Sequence, residues 1–300
     1  MYQIIRTGKD GEIVRQNSIT LEESEQELEY LTFPSFEESG LTEHLITTRL
    51  GGVSAGDLAT MNLSFTRGDR EENVTENFRR IGRILGCGPE DMVASHQTHT
   101  VNIRRVTAAD RGKGIVLSRD YENIDGLMTD EKGIALVTFY ADCVPLLFLD
   151  PVHHAIGLAH SGWRGTVGRM GQRMTEAMAE TFGSRPSEMI AAIGPSICRE
   201  CYEVGEDVAE QFWRMAGGRE RYGEVVTPGK REGKYQLDLW QANRLILEEA
   251  GIPHNSISVT DICTCHNSGY LFSHRGSNGH RGNLGVFLML KGSLRDGVHP

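Results

Sequence analysis

Between residues 134 and 160 the chain runs through three apolar stretches, Ile134–Tyr140, Val144–Asp150 and Ala155–His160, each bounded by turn-forming residues. Short uninterrupted apolar runs of this kind read as buried strands. The link Asp150-Pro151-Val152-His153-His154 is too short for a helical crossover, so the strands it joins are expected to pair antiparallel. Elsewhere the apolar spacing is helical. Val74, Phe78, Ile81 and Leu85 predict a helix over 71–85 with Asp69 as its cap. Further helices are expected over 167–182, stopping at Gly183, over 205–215, and over 238–250, opened by Asp238 and ended by Gly251. Met92–Ala94, Val101–Val106, Met189–Ile193 and Leu284–Leu290 read as strands, and 225–236 as a loop or hairpin. Strand runs without regular β-α-β alternation predict an α+β fold.

The first 40 residues have a different texture and are expected to form an appendage. Tyr2–Arg6 and Glu12–Gln16 flank Lys9-Asp10-Gly11, a hairpin signal. Glu22–Tyr30 is acidic and reads as a surface segment. The expected organisation is an appendage over 1–40, a catalytic domain over 41–293 and a tail over 294–300.

Composition narrows the function. With 300 residues, 39% hydrophobic and 24% charged, the chain is long enough for a substantial core. A formal net charge of −10 gives no broad attraction to nucleic acid or an anionic membrane. Arg275, His280 and Arg281 nevertheless gather near the C-terminus, where a local basic pocket would take a small anion. No apolar run approaches the roughly 18 residues of a membrane span, and Met1–Lys9 does not read as a signal peptide. A monomeric cytoplasmic protein is expected, its six cysteines serving as thiols or ligands rather than disulfides.

Three segments carry the chemistry: Ser95-His96-Gln97-Thr98-His99, Ala141-Asp142-Cys143-Val144-Pro145, and Ala159-His160-Ser161-Gly162-Trp163-Arg164-Gly165-Thr166. Each sets a nitrogen or sulfur ligand at the end of a strand-like run. His99, Cys143 and His160 would supply three ligands to a tetrahedral zinc and leave a fourth position open, as a catalytic site requires. Asp142, costly to bury unpaired, is expected to orient a ligand imidazole. The two glycines after His160 free backbone amides at a helix start for an anion. A closed thiolate site on Cys198-x-x-Cys201 and Cys263-Thr264-Cys265 is the weaker pattern, because Cys-x-Cys lacks the usual gap. These cysteines and Cys87 are therefore expected to be free thiols.

The ordered set of motifs resembles the YfiH-type family, whose members are described variously as polyphenol oxidase (laccase), peptidoglycan editing factor and purine nucleoside phosphorylase. The matching segments are Thr48-Arg49-Leu50-Gly51-Gly52-Val53-Ser54, Met61-Asn62-Leu63-Ser64, His96-Gln97-Thr98-His99, Asp125-Gly126-Leu127-Met128-Thr129 and Ala141-Asp142-Cys143. They continue with Ala159-His160-Ser161-Gly162-Trp163-Arg164-Gly165, Ile193-Gly194-Pro195-Ser196-Ile197, Tyr202-Glu203-Val204 and Phe272-Ser273-His274-Arg275. Ser161 stands where Ala is frequent in the family, and Thr100 where Gly is. The resemblance implies a single domain of mixed β-sheets packed as a sandwich and flanked by helices. It also implies zinc on His99, Cys143 and His160, and phosphorolysis of adenosine, inosine, guanosine or methylthioadenosine, with adenosine deamination as a further activity.

Under that reading Arg49, Asn62, Gln97, Asp142, Arg164 and Arg275 are the expected substrate-binding residues. Arg49, Arg164 and Arg275 are the arginines considered for phosphate. Two other enzyme readings stay open. A cysteine hydrolase acting on cell-wall amides would use Cys143 as nucleophile and His160 or His99 as base. A copper laccase wants paired His-x-His ligands, and none occurs among 11 histidines. The His-x-Glu and Pro-Cys-x-x-Cys signature of the usual zinc deaminases is also absent, so any deaminase here has another architecture.

Overall fold

The computed structural model describes residues 2–7, 13–21, 26–218 and 220–292. In chain order the strands begin β1 (Arg15–Leu21), β2 (Gln26–Thr32), β3 (Thr42–Thr47), β4 (Met92–Ala94), β5 (Ile103–Arg105), β6 (Gly126–Thr129), β7 (Ala135–Tyr140) and β8 (Val144–Asp150). They continue with β9 (Ala155–Ser161), β10 (Ile190–Ile193), β11 (Glu203–Gly205), β12 (Val226–Pro228), β13 (Lys234–Leu237), β14 (Ile257–Val259) and β15 (Leu284–Leu290). The helices are α1 (Pro34–Glu37), α2 (Glu71–Leu85), α3 (Trp163–Val167), α4 (Met170–Phe182), α5 (Glu206–Ala216) and α6 (Leu239–Glu249).

Two six-stranded sheets dominate, ordered β1-β2-β3-β15-β7-β4 and β14-β10-β8-β9-β6-β5. Both are mixed: β4 runs parallel to β7, β5 to β6 and β10 to β14, while the other neighbours are antiparallel. The β8–β9 pair is antiparallel, with Leu147 opposite Leu158, as the short link between them requires. The predicted 225–236 hairpin is the β12–β13 pair, extended by β11 into a third, small sheet.

Alternation along the strands explains why their sequences look uniformly apolar. In β8, Leu147 and Leu149 enter the core between the two large sheets, while Leu146 and Phe148 enter a second core under α4, α5 and α6. In β15, Val286 and Leu288 face the inter-sheet core; Phe287 and Met289 face α2, where Phe78 and Ile81 pack. A sheet covered on both faces needs apolar residues at every position. The result is the expected α+β sandwich flanked by helices.

Several local expectations are corrected. Tyr2–Arg6 is not a strand, and among the described residues it does not pair with 13–16. Arg6 instead forms an isolated bridge with Ile262, and Arg15–Leu21 pairs with Gln26–Thr32. The Lys9-Asp10-Gly11 turn and the tail over 294–300 lie outside the described residues. The acidic 22–30 region holds most of β2, which pairs with β3 and buries Leu28 and Leu31. Helix α2 is capped by Arg70, not Asp69; the Asp69 carboxylate accepts from Asn62, Asn73 and the Arg70 amide. The single helix expected over 167–182 is broken into α3 and α4 at Gly168-Arg169, where Arg169 adopts φ 61°. A Cβ on Gly168 would stand 2.7 Å from Val101, so the break lets the chain pass close to the 101–106 segment. No helix among the described residues is long and apolar enough to cross a membrane.

Candidate active site

Residues 141–143 form the corner where the chain leaves one large sheet at the end of β7 and enters the other at the start of β8. This explains an apolar run interrupted by Ala141-Asp142-Cys143. Asp142 sits at φ 91°, a backbone region disfavoured for any residue with a Cβ. Its carboxylate holds the conformation: Oδ1 accepts from Thr264 Oγ1 at 2.7 Å and Oδ2 from the Arg275 amide at 2.7 Å. The carboxylate therefore braces the corner, and neither bond is to an imidazole.

The imidazole partner is Asp125, at the entry to β6. Its Oδ1 lies 2.8 Å from His160 Nδ1, and the two residues are buried. The same carboxylate accepts from the backbone amides of Thr98, His99 and Thr100 at 2.9–3.1 Å and from Thr100 Oγ1 at 2.9 Å. One acid thus orients His160 and fixes the loop carrying His99, which itself adopts φ 65°. Burial works against the Asp125 charge, but the His160 contact and the amides of Thr100 and Thr98 prevail and hold its pKa at about 2. In the sequence Asp125 stands in a family motif with no role of its own. The available signal was an acid at the mouth of an apolar strand, which demands a partner.

The ligating atoms of His99, Cys143 and His160 all lie within 4.8 Å of one another. The His99 and His160 rings meet edge to face at 4.9 Å. His160 is buried, Cys143 is half-buried and His99 is exposed, so the cluster opens to solvent on the His99 side. Burial pushes the Cys143 thiol up, yet His160 and His99 beside it bring it down to about 6. Burial likewise lowers His160, but Cys143 and Asp125 lift it to about 9. The donor set fits zinc: two imidazoles, a thiolate-prone sulfur, an orienting carboxylate and a solvent-facing side.

Gly162 permits this approach. A Cβ there would meet Cys143 Sγ at 2.8 Å and His99 Cδ2 at 3.3 Å. Behind it, a buried network of Ser161, Thr166 and Asn243 ties the β9–α3 junction to α6, with hydroxyl and amide contacts of 3.0–3.1 Å.

The other expected binding residues separate by role. Gln97 Oε1 accepts from the Phe139 amide and its Nε2 donates to the Phe139 carbonyl, so it acts as a mock strand residue at the edge of β7. Asn62 is buried, accepting from the Ser64 and Asn283 amides and donating to Ser64 O and Asp69. Arg49 donates to the carbonyls of Ala59 and Ser268, and its guanidinium stacks 4.8 Å over Phe272. Arg275 reaches the carbonyls of Cys201 and Glu203 at 3.1 and 3.2 Å. Arg164 is exposed on α3 and lies 4.3 Å over Trp163.

Arg281 differs from these. Its Nε is buried without a hydrogen-bond partner. Burial and Arg67 draw its pKa down to about 10, while Asp142 and Cys143 are near enough to support its charge.

Residues 43–291 match the family described as multi-copper polyphenol oxidoreductase laccase. The chain belongs to this family. It is 42% identical over 247 residues to purine nucleoside phosphorylase of Deinococcus radiodurans, covering 82% of this chain and 88% of that one. With purine nucleoside phosphorylase YlmD of Bacillus subtilis it shares 35% identity over 249 residues, 82% and 87% of the two chains. Adenosine deaminase RL5, from an unknown prokaryotic organism, is 31% identical over 264 residues, 87% and 98% of the chains. The crystal structure of YlmD from Geobacillus stearothermophilus superposes with a TM-score of 0.81 at 33% identity, covering 92% of this chain and all of that one. Despite the family's description, neither metal-competent group among the described residues of this chain offers more than two imidazoles.

Proposed function

We propose that the chain is a zinc-dependent purine nucleoside phosphorylase that also deaminates adenosine. The observation that carries this reading is the convergence of His99 with Cys143 and His160, the two histidines held through Asp125 and the cluster open to solvent on the His99 side. Relatives that are purine nucleoside phosphorylases in name support the substrate class.

In phosphorolysis a phosphate oxygen bonds to C1′ of the nucleoside as the C1′–N9 bond breaks. The bond's electron pair leaves with the purine, which takes up a proton, and the products are the free base and ribose 1-phosphate. In deamination water adds at C6 of adenine and ammonia departs, leaving inosine. Zinc held by His99, Cys143 and His160 would supply Lewis acidity to these steps. Asp125 keeps the His160 ring in one orientation and tautomer, with Nε2 left for ligation. Arg281 has a buried N–H without a partner and a charge that Asp142 and Cys143 support, which favours it as the arginine that would hold phosphate.

A second reading is favoured by one specific arrangement: Cys143, His160 and Asp125 also have the order of nucleophile, base and orienting acid. A cysteine hydrolase uses such a set without metal. Purified protein incubated with adenosine, with and without phosphate, separates the readings when repeated after chelation. Adenine and ribose 1-phosphate, lost on chelation and regained with zinc, are the expected outcome. Amide hydrolysis by metal-free protein without nucleoside turnover would support the hydrolase instead.

A further inference from the structure

Outside that site, the described residues bring together one more set of metal-ligating side chains. The sulfurs of Cys198, Cys201 and Cys263 and a ring nitrogen of His266 all lie within 4.8 Å of one another. Cys198 Sγ is 3.9 Å from His266 Nδ1. Ligand atoms around a tetrahedral zinc, with Zn–S about 2.3 Å and Zn–N about 2.0–2.1 Å, stand roughly 3.5–3.8 Å apart. The four groups therefore need to contract by no more than about 1 Å to close on one ion. We propose that Cys198, Cys201, Cys263 and His266 form a second, closed zinc site that is structural in role.

The spacing supports this once the fourth ligand is read correctly. In the sequence Cys263 pairs most simply with Cys265, an unfavourable Cys-x-Cys. The structure pairs Cys263 with His266, so both ligand pairs are separated by two residues, as in zinc knuckles and ribbons. The sulfur of Cys263 is also prepared for a thiolate. It accepts from the Cys198 amide at 3.3 Å. Backbone N–H groups aimed at a sulfur stabilise its anionic form. Cys198 and Cys263 are buried while Cys201 and His266 are partly accessible, which gives an ion a route in.

The position gives the site its purpose. It would join two segments that carry little regular structure, the 198–201 turn after β10 and the 263–266 turn after β14. Backbone contacts already hold these side by side: Ser196 bridges Cys263, and the Thr264 amide donates to Ser196 O at 3.1 Å. Both segments then reach the corner that bears Cys143. Thr264 Oγ1 donates to the Asp142 carboxylate, and the Ile197 amide donates to Asp142 O at 3.0 Å. A metal clamp here would brace the strained Asp142 backbone through these two segments.

The test is metal stoichiometry on the full-length protein, purified under reducing conditions with zinc supplied, combined with cobalt replacement. About two zinc ions per chain are expected in the wild type. Cys201→Ser and His266→Ala should each remove about one ion and abolish the thiolate-to-cobalt charge-transfer bands of a multi-thiolate site. His99→Ala should remove the other ion and leave those bands intact, so failure of this site and failure of the active-site zinc are distinguished. If the cysteine variants do not fold, alkylation of the wild type replaces them. Cys198, Cys201 and Cys263 should be protected with zinc and react after chelation, whereas Cys265 should react in both states. Zinc content unaffected by Cys201→Ser and His266→Ala would overturn the proposal, as would a disulfide between these cysteines or alkylation indifferent to metal.

Discussion

Asp125 and His160 form the buried pair on which the candidate metal centre turns, with carboxylate Oδ1 2.8 Å from ring Nδ1. Because the same acid holds the amides of residues 98–100, one side chain fixes two of the three ligands, which come from separate segments of the chain. Asp125→Asn keeps the shape but removes the charge and turns one oxygen into a donor. Loss of such an orienting carboxylate typically costs about 10–100-fold in metal affinity. Competition titration against a chromophoric chelator should show a fall of that order, with the far-ultraviolet dichroism of the wild type retained. Unchanged zinc affinity in this variant would separate Asp125 from the metal centre.

Gly162 is required by a contact rather than by its backbone, which is extended at φ −67°, ψ −177°. A methyl group there would sit 2.8 Å from Cys143 Sγ, well inside van der Waals contact. Gly162→Ala should therefore displace the sulfur and lower turnover by more than about tenfold, since small misplacements in a reacting site are costly. The overall fold should survive, because Cys143 is half-buried at the margin of the inter-sheet core and the cluster opens to solvent at His99. Wild-type kinetics in this variant would show that the cluster yields without consequence.

The parts of this molecule legible in the sequence are those where burial leaves no choice. β7, β8, β9 and β15 are covered on both faces, so each shows as an apolar run with clear limits. β2 was hidden because its polar positions have tertiary partners. Glu29 is buried against Gln16 Nε2 at 2.7 Å and the Tyr2 amide, an arrangement no local pattern reveals. The α3–α4 break has a local signal in Gly168, but Gly165 and Gly171 lie within the helices on either side, and the contact that singles out Gly168, Val101, is distant in sequence. The same division runs through the site. His99, Cys143 and His160 stood out as soft ligands ending strands, whereas Asp125 and His266 acquire roles only from what the fold places beside them.

Arg281 should matter to phosphate more than to the nucleoside. Its Nε is buried and unpartnered, so an anion that accepts from it would satisfy a buried charged donor. Arg281→Lys keeps the charge but loses the planar fork that matches phosphate oxygens. Steady-state kinetics should show KM for phosphate raised about tenfold or more, the order of one charge-assisted hydrogen bond, with KM for adenosine little changed. Equal effects on both constants would place Arg281 in general support of the pocket instead.

Acid stability offers a test far from the site. His44 in β3 is buried against Phe33 and Phe36, and its Nε2 accepts from the Phe33 amide at 2.8 Å. Burial, helped by Lys291, lowers its pKa from 6.5 to about 3. Well above pH 6.5 the ring is neutral in both the folded and unfolded chain and has no effect on pH dependence. Below it the unfolded chain binds a proton that the folded one refuses, so stability falls with decreasing pH until the folded ring titrates near pH 3. The limiting slope from this one group is ~1.4 kcal/mol per pH unit. His44→Gln retains an acceptor for the Phe33 amide without a titrating ring. Urea unfolding between pH 7 and pH 4.5 should show a flatter decline for the variant than for the wild type. Parallel declines would mean that His44 is protonated in the folded protein and that the Phe33 amide finds another acceptor.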